Sequence, residues 1–134
     1  MTIDELVDNF NALEEWEDRY KYLIDLGNTL PPMDESLKTP GTRVSGCMAQ
    51  VWMVLGWNKD HRLNLVADSD ADIVKGLIRI LDAVYAGRTA TEIMGLDIEG
   101  MFDRLGLNHI TSNRRNGFFS MVQRIKGFTS APYT

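Results

Sequence analysis

Cysteine is almost missing from this chain of 134 residues: Cys47 is the only one. No internal disulfide can form, and a reducing, cytoplasmic setting fits that usage. Histidine is nearly as scarce, with only His61 and His109. Zinc sites draw on several Cys or His at close spacing, and neither a Cys-x-x-Cys nor a His-x-x-x-His pair occurs, so no metal site is expected. No run approaches the roughly 20 consecutive apolar residues of a membrane span. The opening stretch, MTIDELVDNF, is acidic and amphipathic and does not read as a signal peptide. Basic residues are outnumbered, 14 Lys and Arg against 19 Asp and Glu, for a net charge of -5. Nucleic-acid backbones and anionic lipids are bound by clustered cations, so neither is an expected partner. P-loop, Gly-x-Gly-x-x-Gly and Gly-x-Ser-x-Gly patterns are absent, as are repeats and low-complexity segments.

What is present suits one domain spanning residues 1–134. Hydrophobic residues make up 44% of the chain, enough with three Trp and five Phe to fill a single core. Thr2 and Glu5 form a capping-box pattern ahead of a helical face of Ile3, Leu6, Val7 and Phe10. A second helix is expected over 11–26, with Trp16, Tyr20, Leu23 and Ile24 as its core stripe and Gly27 as its stop. Pro31 and Pro32 open an irregular connection that lasts to Pro40. Residues 51–57 read as a strand, 58–61 as a turn and 62–67 as an alternating strand with Leu63, Leu65 and Ala67 on one face. A further strand at 42–45 would make three.

The period then changes to helical. Ile73, Leu77, Ile80, Leu81 and Val84 form a stripe, with Ser69 and Asp72 as a capping box and Gly87 as the end. The Asp68, Asp70, Asp72 series imitates the start of a calcium loop, but Ile73 stands where glycine is needed and Arg79 where a bidentate Glu is needed. Short helices are expected at 89–94 and 98–105. A last helix is capped by Ser112 or Asn113, presents Phe118, Val122 and Ile125, and frays from Thr129. The order gives an α+β fold, a small antiparallel sheet with helices packed on it.

Chemistry converges on residues 42–52, TRVSGCMAQVW. A lone cysteine is usually a small buried hydrophobe. Here it follows Gly46, in a small, turn-prone segment that feeds a strand, where a thiol can sit on a mobile loop above a rigid scaffold. A thiolate attacks electrophilic sulfur, and the persulfide formed is a reversible sulfur carrier. Hydrolysis would instead need a base, for which His109 is the better candidate. Arg114 and Arg115 read as solvated charge before the last helix.

Four ordered matches make the chain resemble the SufE family of sulfur acceptors. Trp16, Arg19-Tyr20, Leu23-Ile24 and Gly27 follow a W-x-x-R/K-Y-x-x-L/I-I-x-x-G pattern. Val44, Gly46-Cys47 and Gln50-Val51-Trp52 follow V-x-G-C-x-S-x-V-W, with Ala49 in place of serine. Residues 68–77 follow D-S-D-A-x-I-V-x-G-L, and 105–107 with Arg114, Asn116-Gly117 and Met121 follow the L-G-L and R-x-N-G-x-x-x-M segments. Thr42 also departs, standing where many members carry asparagine.

The resemblance implies the fold shared with IscU-type scaffolds, with about three strands. It implies that Cys47 takes sulfur from the persulfide of a SufS-type cysteine desulfurase, stimulates it, and passes sulfur to the SufBCD iron–sulfur assembly scaffold. No cofactor is implied for this chain; pyridoxal phosphate is on the desulfurase. Gly46 and Asp70 would support the cysteine loop, and Arg114 the partner interaction or transfer. A monomer or weak homodimer is expected. A CsdE-like acceptor serving a CsdA-like desulfurase is the alternative route. An IscU-like scaffold is disfavoured by the single thiol.

Overall fold

The computed structural model describes residues 1–130. The described residues form six α-helices and a two-stranded sheet: α1 Ile3–Asn11, α2 Trp16–Asn28, β1 Val51–Trp57, β2 Leu63–Ser69, α3 Asp72–Tyr85, α4 Ala90–Met94, α5 Ile98–Arg104 and α6 Ser112–Thr129. The α+β class follows the sequence reading; the strand count does not. β1 and β2 form an antiparallel hairpin in which Met53 faces Ala67 and Leu55 faces Leu65. Upstream, Val44 donates to the Val51 carbonyl and the Thr42 carbonyl accepts from Met53, both at 2.8 Å. That leaves a single bridge, Arg43 opposite Trp52. Pro40 has no amide to donate, and Gly46, at φ 85°, turns the chain away. The segment between them makes this one bridge to β1 and no ladder.

α3 is the central pillar. Leu77, Ile78, Ile80, Leu81 and Val84 are fully buried, as the helical period requires. α2 crosses it closely enough that a Cβ on Gly27 would lie 2.8 Å from the Gly76 nitrogen, and one on Gly76 would run into the Leu23 carbonyl oxygen. Gly27 therefore is not the helix stop expected from its type; it lies inside α2 and admits α3. α2 also begins later than expected. The Asn11 side chain donates through Nδ2 to the Val7 and Arg104 carbonyls at 2.7 and 2.8 Å, closing α1 instead of opening α2. Arg19 holds the join, donating to the Leu13 carbonyl and the Gly106 carbonyl, each at 2.7 Å.

Two caps differ from expectation. Ser69 does not cap α3: its hydroxyl donates to the Gln50 carbonyl at 2.7 Å and accepts from the Ala71 amide. α6 is capped by Thr111, which accepts from the Arg114 amide at 3.3 Å, ahead of both Ser112 and Asn113, the two residues read as the cap. The irregular connection after Pro32 contains one short 3-10 turn, Glu35–Leu37. Of the expected frayed tail, Thr129 is helical and buried, and residues 131–134 lie outside the described residues. Among the described residues, no helix is long and apolar enough to cross a membrane.

Candidate functional site

Cys47 lies on the loop between the Arg43 bridge and β1, and that loop rests on α6. Three α6 residues on one face, Gly117, Ser120 and Arg124, meet it in order. The Cys47 Sγ donates to the Gly117 carbonyl at 3.6 Å. A Cβ at Gly117 would stand 3.6 Å from that sulfur, an ordinary van der Waals distance, so α6 packs directly under the thiol. Ser120 Oγ donates to the Gly46 carbonyl at 3.4 Å. Arg124 donates through Nη1 to the Arg43 carbonyl at 2.9 Å and through Nη2 to the Gly41 carbonyl at 2.8 Å.

Gly46 is needed on two counts. Its φ of 85° lies in the left-handed region. A Cβ there would also stand 2.7 Å from Ser120 Oγ.

The loop's exit is fixed from the other side. Asp70 Oδ1 accepts from the Gln50 amide at 3.0 Å, and the Asp70 amide donates to the Gln50 carbonyl at 3.3 Å. Ser69 bonds that same carbonyl. Both ends of the loop are thus tied to rigid elements, while residues 45–49 hold to α6 through longer contacts.

The thiol is half-buried. Burial pushes it up from its ordinary value, so at neutral pH it rests protonated and weakly nucleophilic.

Beside the loop lies an open cavity of about 550 Å³. Trp16, Tyr20, Met48, Ala49, His109 and Arg114 are among its walls. The His109 ring stacks on Trp16, centroids 5.5 Å apart and 27° between planes. Tyr20 is 43% exposed and Met48 79%. Tyr20 is therefore cavity wall where the sequence reading made it core, while Trp16 is half-buried, packing against the core and lining the cavity as well. Helical spacing shows which residues share a face, and this face extends past the core into the cavity.

The structure puts Gly46 and Cys47 on one loop, braces the exit of that loop with Asp70 from the β2–α3 connection, and sets Arg114 in the wall of the same cavity as Met48 and Ala49. Arg114 is half-buried in the first turn of α6. Arg115 is exposed but not merely solvated: its guanidinium carbon sits 4.9 Å from the Phe102 ring centroid and 5.1 Å from that of Phe119. Sequence reasoning missed Ser120 and Arg124. No signal short of the fold pairs a loop with a helix face more than 70 residues away. Among the described residues no group of three His, Cys, Asp or Glu side chains is placed to hold a metal ion.

Comparison with known proteins shows the family. The family model described as SufE, Fe-S metabolism associated domain, matches residues 4–129. An uncharacterised SufE-like protein of Rhizobium meliloti is 43% identical over 129 residues, covering 93% of this chain and 92% of the relative. One from Rhizobium etli is 43% identical over 129 residues, covering 93% of this chain and 87% of the relative. The solution structure of a hypothetical protein from Thermus thermophilus superposes with a TM-score of 0.76 at 18% identity, covering 97% of this chain and 96% of that one. At that identity the likeness concerns the fold alone.

Proposed function

This chain belongs to the SufE family, and on that premise we propose that Cys47 accepts sulfur from the persulfide of a cysteine desulfurase. The observation that carries the reading is the mounting of Cys47: a lone thiol, sheltered against Gly117 by one long contact, on a segment anchored at both ends. A rigid interior cysteine would need none of these anchors.

The transfer step balances without an added oxidant or reductant. The Cys47 thiol loses its proton as it leaves its half-buried position. The thiolate attacks the outer sulfur of the desulfurase persulfide. A sulfur–sulfur bond forms on Cys47, the old one breaks, and the desulfurase cysteine departs as a thiolate that regains a proton. Pyridoxal phosphate and the making of the persulfide belong to the desulfurase. Asp70 keeps the loop exit in place through Gln50, Gly46 supplies the turn, and Arg114 faces the approaching partner from the cavity wall. We assign the donor to the SufS type and the onward acceptor to a SufBCD scaffold.

The test is turnover. Alanine release from cysteine by a SufS-type desulfurase rises when this protein is added, and the rise is lost with Cys47→Ser. An unchanged rate with the wild-type protein rejects the reading.

A further inference from the structure

Arg124 makes the two shortest hydrogen bonds that the cysteine loop receives from α6, and nothing so far gives it a role in the chemistry. Its two terminal nitrogens reach two carbonyls, Arg43 and Gly41, that are 81 and 83 residues away in sequence. Among the described residues it takes part in no ion pair; its donors serve the loop stem. The planar fork of arginine can hold two carbonyls at fixed spacing, which a lysine ammonium does less well.

The loop's other ties to α6 are weaker. Ser120 reaches the Gly46 carbonyl at 3.4 Å, and the thiol, a weak donor, reaches Gly117 at 3.6 Å. Hydrogen bonds from a charged group are about twice as strong as neutral ones. Lifting the loop would therefore break the Cys47 and Ser120 contacts first and leave the stem in place.

We propose that Arg124 is a positioning residue for sulfur transfer: it clamps the stem at Gly41 and Arg43, so that only residues 45–49 move and Cys47 returns to its shelter against Gly117. The inference rests on the sulfur-acceptor reading, but its first test needs no desulfurase. Iodoacetamide alkylates the Cys47 of the full chain across a range of pH. Arg124→Gln should react about tenfold faster than wild type, the change expected from losing a hydrogen bond to a charged group. The midpoint of its pH profile should fall toward that of an ordinary thiol. Arg124→Lys should restore only part of the protection. Arg79→Gln, which removes an arginine paired with Asp82 on α3, should behave as wild type.

Hydrogen exchange on the wild-type protein supplies a check that no variant's folding can spoil. The Val44 and Met53 amides, bonded across the stem, should exchange far more slowly than those of Met48 and Ala49. Wild-type alkylation kinetics in Arg124→Gln, or equal exchange in stem and loop, would overturn the proposal. A wild-type protein that gains no sulfur from any desulfurase would instead reject the acceptor reading and leave these two measurements as they stand.

Discussion

Cys47 and Gly117 meet across 70 residues of chain through one contact, Sγ to carbonyl oxygen at 3.6 Å. The bond is long and its donor weak. It shelters the sulfur and releases it at small cost. The stability of the molecule resides elsewhere, in the packing of α2, α3 and α6, so the loop can move while the scaffold does not.

Burial raises the Cys47 thiol, and the pH dependence follows. The folded state keeps its proton at pH values where the unfolded chain has lost it. Stability is therefore full below the ordinary thiol value and declines as pH rises through it toward the folded value. Alkylation of the native protein should show a higher midpoint than alkylation in urea. Cys47→Ala should flatten the stability decline over that pH range. Coincident midpoints in the native and denatured chains would contradict the sheltered thiol.

Gly46→Ala meets both the left-handed backbone and the Ser120 hydroxyl. A loss of about 1–2 kcal/mol is expected from the backbone alone, measured by urea denaturation. Adding Ser120→Ala, which removes the hydroxyl and keeps α6 helical, should recover the steric share and leave the backbone share. A Gly46→Ala protein as stable as wild type would remove the case for a required glycine.

Gly76→Ala should lower stability although alanine is the better helix former. The new methyl group meets the Leu23 carbonyl, and overpacking costs about 1–3 kcal/mol, against a propensity gain of about 1 kcal/mol. Gly56→Ala, where a Cβ would meet nothing within 4 Å, serves as the comparison. Thermal melting distinguishes them.

Tyr85 carries a buried hydroxyl that, among the described residues, has no hydrogen-bond partner. Burial pushes it up to about 12. Tyr85→Phe should therefore be neutral or stabilising, because it removes an unsatisfied group. The alkaline behaviour should differ as well. Above about pH 10 the unfolded tyrosine ionises while the folded one does not, so wild type loses stability toward pH 12 and Tyr85→Phe loses less. Melting curves at pH 8 and pH 11 would show the difference.

The α3 stripe and the β1–β2 hairpin were legible because period alone fixes which residues go inside. Cys47 and Gly46 were legible because they lie in one short segment, whereas Asp70, 20 residues beyond Gln50, was tied to the loop only by the family pattern. Gly27 was misread because a glycine that ends a helix and one that admits a neighbouring helix look alike until the neighbour is placed. The strand expected at 42–45 is one bridge, Arg43 opposite Trp52, because only Thr42 and Val44 bond to β1 before Gly46 turns the chain away. Trp16 and Tyr20 sit on a helical stripe that continues beyond the core, and Arg124 acts at a distance no local pattern records.

The central claim is that sulfur becomes bonded to Cys47, and intact-protein mass spectrometry after mixing with a SufS-type desulfurase and cysteine tests it most directly. The wild-type chain should gain the mass of one sulfur atom, located on the Cys47 peptide and removed by a reducing thiol, and Cys47→Ser should gain none. A wild-type mass that stays unchanged while the desulfurase itself is loaded with persulfide would contradict it.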